Sequence, residues 1–310
     1  MHNVLIIGYG SIGRKHAIIL AKIKKIKKIY IITKQKIQKI KKIQKTTYTE
    51  IVNLKIDYII ISNPSSSHYK TIKLIEKNFI NKKVLIEKPL FNKSHRLDLK
   101  KNFYYVGYNL RFHPVIKKIK NLIIKKNIWN VEINQQSYLP DWRKNIPYER
   151  SCTAKKSSGG GILLELSHEL DLVLNIFGNL KPLFVLNTKK SNLKINTDDI
   201  LIITGTINSK GNKIIFNLSS NIFSKNLKRE IKINGENFSL FGDLVNNKIF
   251  YSINNKKTKI RFSKFDIDRT YLEQHQAILK NDSSIICSYN DGNTVMNLID
   301  KIKKIKFRLN

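Results

Sequence analysis

Val4-Leu5-Ile6-Ile7-Gly8-Tyr9-Gly10-Ser11-Ile12-Gly13, residues 4–13, decides how the rest of the chain is read. Four consecutive apolar residues suit a strand buried on both faces. Glycines at 8, 10 and 13 give the spacing G-x-G-x-x-G where that strand hands over to a helix. Gly8 permits a tight turn, Gly10 lets backbone approach a pyrophosphate, and Gly13 lets helix and strand pack closely. The first turn of the helix then offers N–H groups and the positive end of its dipole to phosphate. Gly8, Tyr9, Gly10, Ser11, Ile12 and Gly13 are therefore the first candidates for cofactor contact.

Similar apolar runs follow. Ile29–Ile32 ends at Thr33-Lys34, Tyr58–Ile61 at Ser62-Asn63-Pro64, and Val84–Ile86 at Glu87-Lys88-Pro89. Helical stretches at Ile12–Lys28 and Thr71–Asn78 lie between them, and Phe103–Gly107 reads as one more strand. Apolar strands alternating with helices predict a doubly wound, mostly parallel sheet, an α/β Rossmann domain over residues 1–114. The lysine-rich segment Lys22–Lys45 places isoleucines three and four apart, which predicts amphipathic helices flanking the Ile29–Thr33 strand.

After residue 115 the texture changes. A helix near Val115–Lys125 precedes an alternating run, Val131–Tyr138, and glycines 159–161 precede a helix over Ile162–Phe177. Leu183–Asn187, Ile200–Ile207, Lys213–Ser219, Glu230–Asn234 and Lys248–Ile253 then alternate, separated by turns such as Asn208–Asn212. This predicts an α+β domain over 115–310 with a large, mostly antiparallel open sheet. Helices at Tyr271–Lys280 and Gly292–Lys306 close the chain, the last expected to pack back on the first domain.

The second strand bears on the choice of cofactor. An acid near its end would bind the ribose 2′-hydroxyl of NAD, yet no Asp or Glu precedes Glu50. Thr33 and Lys34 stand there instead, which suits the 2′-phosphate of NADP and favours it over NAD.

Net charge is +36, which would ordinarily suggest nucleic acid. But 49 lysines stand against 9 arginines, with only 4 alanines, the mark of A/T-rich codons. The arginine forks that read phosphate and bases are scarce. Nucleic acid is not an expected partner. With two cysteines, no uncharged apolar span and a strand almost at Met1, the chain predicts no disulfide framework, metal centre, membrane partner or signal peptide, and a cytoplasmic location.

Several motifs occur together in order: Gly8–Gly13 with Arg14-Lys15-His16, Asn63-Pro64 with His68, Glu87-Lys88-Pro89, and Gly159-Gly160-Gly161 with His168 and Asp171. Together they resemble the glucose–fructose oxidoreductase/inositol dehydrogenase (Gfo/Idh/MocA) family across essentially the whole chain. The resemblance implies NAD(P)-dependent oxidation or reduction of sugar-like alcohols, and a homo-oligomer. It adds Asn63, Pro64, His68, Glu87 and Lys88 to the cofactor contacts, with a cis bond before Pro89.

Lys88, at a strand's carboxyl end where open α/β sheets bind ligands, can hydrogen-bond a substrate oxygen or pass a proton. Glu165, His168 and Asp171 are three apart, so one helix would put them on one face. His168 there can take a hydroxyl proton, while a carboxylate sets its basicity. Lys88, His168 and Asp171 are the catalytic candidates. Relatives carry Asp-x-x-x-His after the glycines, whereas this chain has Glu165-x-x-His168, so Asp171 matches the carboxylate role better than Glu165. Tyr108–Phe112 resembles the family's strand end leading into the second domain, which implies Asn109 and Arg111 near substrate. Trp142, Arg143, Tyr148, Glu165 and Tyr271 are further substrate candidates, with His275 and the Glu149-Arg150 pair behind them, since aromatic faces and arginine forks suit sugars bearing phosphate or carboxylate. The loop after Trp142-Arg143 resembles relatives in bacterial surface-glycan pathways, so a sugar or nucleotide-sugar is the expected substrate. A non-catalytic cofactor sensor is the alternative, against which the intact Lys88 and His168 weigh.

Overall fold

The computed structural model describes residues 1–37, 39–143, 147–209 and 211–305. Gln38 of the lysine-rich segment, Lys210 of the Asn208–Asn212 turn and Lys306 of the last helix lie outside the described residues. The chain forms two units, one of residues 1–109 with 267–296, the other of 110–266 with 297 onward. The first unit thus takes back residues 267–296, which the sequence assigns to the second domain.

In the first unit, β1 (His2–Ile7), β2 (Ile26–Ile32), β3 (Ile43–Thr46), β4 (Tyr58–Ile61), β5 (Lys83–Ile86) and β6 (Phe103–Val106) are parallel, ordered β3-β2-β1-β4-β5-β6. A two-residue strand, Cys287–Ser288, adds antiparallel to β6. All four residues of β4 and the last four of β1 are buried, which is why these strands read as unbroken apolar runs. Each such Ile or Val contributes roughly 1.5–3 kcal/mol by leaving water. Helices α1 (Ser11–Ala21) and α2 (Ser65–Asn78) follow β1 and β4.

The lysine-rich segment corrects the sequence reading. α1 stops at Ala21, and residues 26–32 and 43–46 are strands, with no helix between them among the described residues. Ile26 and Ile29 are buried from β2, not from a helix. β-Branched residues are stiff in helices and fit a pleated sheet, and such short stretches cannot offset the cost of helix nucleation.

The second unit begins with α3 (Pro114–Leu122), started by Pro114 and capped where the His113 ring accepts the Val115 N–H. Its sheet comprises β7 (Ile128–Tyr138), β8 (Asn179–Thr188), β9 (Ile200–Ser209), β10 (Asn212–Asn221), β11 (Phe223–Gly235), β12 (Phe238–Asp243), β13 (Lys248–Ile253) and β14 (Lys256–Arg261). The order is β14-β13-β12-β11-β7-β10-β9-β8, antiparallel except where β7 and β10 run parallel. Leu201, Ile203 and Ile207 are buried from alternate positions of β9, as a sheet with one wet face requires. A concavity of about 380 Å³ on the opposite face is lined by Glu132, Thr204, Asn217, Glu230 and Lys232, none of them a motif residue. β12 and β14 are absent from the sequence reading. Asn254 and Asn255, both at positive φ, make the tight turn between β13 and β14 and were the available signal.

The predicted helix over 162–177 is two pieces, α4 (Ile162–Glu165) and α5 (Ser167–Ile176). At Leu166 (ψ 14°) the ladder is interrupted, and its carbonyl accepts from both Glu169 and Leu170. The chain then rejoins the first unit through α6 (Asp268–Lys280) and ends in α7 (Tyr289–Lys304). No helix among the described residues is long and apolar enough to cross a membrane.

Candidate functional site

The three glycines of the first loop do different work. Gly8 sits at φ +100°, and a Cβ there would lie 2.5 Å from the Asn63 nitrogen. A Cβ on Gly13 would lie 2.2 Å from the Gly8 carbonyl oxygen and 2.8 Å from Ser62 Oγ, which itself donates to that carbonyl at 2.9 Å. Both are glycine because β1, β4 and α1 close on each other there. Gly10 differs. Its φ of −70° suits any residue, yet nothing lies within 4 Å of a Cβ placed on it, and it caps the exposed start of α1 with Ser11 as first residue. The open cradle lies at the helix N-terminus, at the switch point where β2 and β4 flank β1. It fits a dinucleotide's pyrophosphate on backbone N–H groups. Tyr9 is buried beside it, with Arg14 over its ring at 5.5 Å.

At the end of β2, Thr33 Oγ1 accepts the Gln35 N–H at 3.1 Å and Lys34 is exposed, so a hydroxyl and a cation occupy the place of the expected acid. Asn63 is half-buried, and its amide donates to Thr71 Oγ1 at 2.8 Å. Pro64 is exposed ahead of α2. His68 departs from the expected cofactor contact. It is buried, and its ring nitrogens meet the carbonyl oxygens of Leu90 and Asn63 at 3.0 and 2.9 Å. Burial pulls it below the ordinary histidine range. His68 therefore ties the loop after β4 to the loop after β5.

Glu87 leaves the end of β5 into a buried polar chain. Its Oε1 lies 2.9 Å from His16 Nε2; His16 Nδ1 lies 2.9 Å from His275 Nε2; His275 Nδ1 lies 2.9 Å from the Tyr58 hydroxyl. Glu87 and all three partners are buried. Burial, reinforced by His16, pushes His275 well below the histidine value, while burial and the Glu87 carboxylate push Tyr58 well above the phenol value. Next to Glu87, Lys88 is half-buried and the Lys88–Pro89 peptide is cis. Two further substrate candidates are engaged within this unit. Asn109 donates to Thr270 Oγ1 at 2.6 Å, and Tyr271 sets its ring edge on His16 with Lys15 over its face. His275, expected to reach substrate from α6, lies buried in the chain instead.

In the second unit the glycine run is again a matter of space. A Cβ on Gly160 would meet the Cys152 and Thr153 carbonyls at 2.2 and 2.4 Å. Gly161, at φ +110°, would press on the Asp198 carboxylate. Asp198 Oδ2 accepts the Leu163 N–H at the start of α4, and burial raises its pKa. Glu165 ends α4 before the break at Leu166, and its carboxylate accepts from Thr153 Oγ1 at 2.7 Å. His168 is half-buried on the first turn of α5. Asp171 and Arg111 hold each other, with Nε and Nη2 reaching the carboxylate at 2.9 and 2.6 Å, both side chains buried. The fork expected for substrate thus lies against a carboxylate of its own unit, and Asp171 is an ion-pair partner. Trp142 and Arg143 are exposed, and the Tyr148 hydroxyl accepts the Lys194 N–H at 3.1 Å. Among the described residues no group of three or more His, Cys, Asp or Glu side chains is placed to hold a metal ion.

Residues 2–99 match the family model described as "Oxidoreductase family, NAD-binding Rossmann fold", that of Gfo/Idh/MocA proteins. Over these residues the chain matches the NAD-binding Rossmann domain that the model describes. The whole chain is also similar to solved structures of the same type. UDP-N-acetylglucosamine 3-dehydrogenase GnnA from Acidithiobacillus ferrooxidans is 16% identical, with 97% of this chain and 96% of that chain covered and a TM-score of 0.73. Levoglucosan dehydrogenase in complex with NADH and L-sorbose is 15% identical over 98% and 96%, at a TM-score of 0.80. GenD2 from gentamicin A biosynthesis in complex with NAD is 14% identical over 96% and 92%, at 0.74. At these identities the likeness shows the fold. No curated protein matches the sequence.

Sequence reasoning missed Tyr58, Thr153, Gly107 and Thr270. None belongs to a motif, and each matters through a partner distant in sequence.

Proposed function

We propose that this NAD-binding oxidoreductase interconverts a CH–OH group and a carbonyl on a sugar or nucleotide-sugar, with NADP preferred over NAD. The observation that carries the reading is the Gly10 cradle, open at the N-terminus of α1 between β1 and β4, in a domain of this oxidoreductase family. Gly8–Gly13 would hold the pyrophosphate, and Thr33 and Lys34 the 2′-phosphate. When bound, a nicotinamide accepts or supplies the hydride that leaves or joins the carbinol carbon.

The chain's own groups handle the oxygen. In the oxidising direction the C–H electron pair departs with hydrogen as hydride, the O–H bond breaks, and its proton goes to His168 as general base. Lys88 donates a hydrogen bond to the oxygen as its charge develops. Asp171 acts through Arg111, as a buried pair fixing α5 rather than as a group on substrate. Two of the similar structures are named for sugar substrates, UDP-N-acetylglucosamine and levoglucosan, which supports the substrate class.

The test is to identify the nucleotide that co-purifies, then to follow 340 nm absorbance with NAD⁺ and NADP⁺ against UDP-N-acetylglucosamine, UDP-glucose, glucose and myo-inositol. Binding of nucleotide without turnover of any alcohol or carbonyl in a wider panel of sugars would favour the sensor reading instead.

A further inference from the structure

We propose that Tyr58, His275, His16 and Glu87 form a one-way hydrogen-bond relay that holds Glu87 as an orientated carboxylate and thereby positions Lys88, its neighbour at the end of β5. The polarity follows from counting protons. A carboxylate only accepts, so His16 Nε2 donates to Glu87 across 2.9 Å. A neutral imidazole has one donor and one acceptor, so His16 Nδ1 accepts, and the proton in that contact belongs to His275 Nε2. The same rule makes His275 Nδ1 an acceptor and the Tyr58 hydroxyl the donor. Every proton in the series points toward Glu87. A protonated His16 would reverse the other two contacts. Tyr58 would then accept, and its own hydroxyl proton would sit in the core without a second partner among the described residues.

The surroundings agree with a fixed carboxylate. Tyr271 edges the His16 ring, and the Lys15–Asp268 pair at 2.6 Å joins α1 to α6 beside it. Of the titratable groups near Tyr58, the Glu87 carboxylate acts on it most and the neutral Tyr105 phenol less. Gly107 is an independent sign. Its backbone does not lie in the left-handed region, yet a Cβ there would lie 2.7 Å from Glu87 Oε1. Glycine at 107 leaves the carboxylate its room, and a side chain there would push it aside. The relay joins α1, whose first turn carries the phosphate cradle, with β4 and α6, and delivers all three to the residue before Lys88.

The positioning role rests on the reading in which Lys88 works on a substrate oxygen, and the test separates the two. Two-bond ¹H–¹⁵N spectra of histidine-labelled protein at pH 7.5, assigned with His16→Gln and His275→Gln, need no substrate. The relay requires both rings neutral and protonated on Nε2. An Nδ1–H tautomer at either ring, or an imidazolium at His16, would overturn it. On whichever of the four sugars named above is turned over, Glu87→Gln and Gly107→Ala should lower kcat about tenfold or more, with substrate KM within about threefold. Tyr58→Phe, which removes only the last donor, should cost about half as much on a logarithmic scale. A purely structural chain would instead lower Tm and leave kcat intact. If Gly107→Ala does not fold, Glu87→Gln, which is isosteric, decides, and wild-type kcat in that variant refutes the positioning role. If no sugar is turned over by the wild type, the dehydrogenase reading has failed, and the spectra still support or overturn the relay.

Discussion

Valine at position 10 should leave the fold intact and sharply weaken binding of nicotinamide dinucleotides, whereas alanine at position 13 should weaken the fold itself. The contrast is worked from space. Gly10 has φ −70° and ψ −165°, open to any side chain, and no atom within 4 Å of its Cβ position, so valine costs the apo protein almost nothing. It does fill the cradle. Losing one or two charge-assisted N–H contacts to phosphate, each about 1.5–3 kcal/mol, predicts roughly 2–5 kcal/mol, or about 30- to several-thousand-fold in Kd. At Gly13 the new Cβ would lie 2.2 Å from the Gly8 oxygen, a backbone atom that cannot swing aside. Overpacking of this kind costs about 1–3 kcal/mol, and so several degrees of Tm. Differential scanning calorimetry gives Tm, and titration against NADH and NADPH fluorescence gives Kd. Wild-type affinity in folded Gly10→Val would refute the cradle as the phosphate site, and wild-type Tm in Gly13→Ala would refute the account of close packing.

Lys34→Glu should cut NADP affinity at least tenfold and spare NAD, because a carboxylate repels the 2′-phosphate and accepts from the 2′-hydroxyl; titration of both cofactors at physiological salt checks this. Lys88→Met and His168→Asn should each lower kcat by about a hundredfold in steady-state assays, the scale of a lost acid–base group, with cofactor Kd unmoved in His168→Asn. Arg111→Met should destabilise by about 3–5 kcal/mol in chemical denaturation, since it removes the guanidinium from a buried ion pair with Asp171. His113 is pushed down to about 4, by burial first and by Arg229 second. Its folded value lies below the unfolded one near 6.5, so the unfolded chain takes up the proton first. Stability should then be full above pH 6.5 and fall as pH drops toward 4, by about 3 kcal/mol from this residue. His113→Gln should flatten that part of the pH–stability curve.

What the amino-acid order determines alone is what neighbouring residues impose on one another. Val4–Gly13 is legible because a buried parallel strand, a left-handed turn at Gly8 and a helix start are all written within ten residues. The strands of the second sheet are legible for the same reason, since alternation has a period of two. The isoleucines of 22–45 misled because spacings of three and four fit a helix, yet the sheet claimed Ile26 and Ile29. The roles of the polar residues were decided elsewhere. Asp171 finds Arg111 across 60 positions, His16 finds His275 across 259, and Tyr58 finds His275 across 217. A histidine that closes a buried relay and one that faces substrate look alike in sequence. Only the fold chooses a buried group's partner, and burying a polar group without one is costly, so the same residue type becomes a clamp at 68, a relay at 16 and 275, and a half-exposed ring at 168.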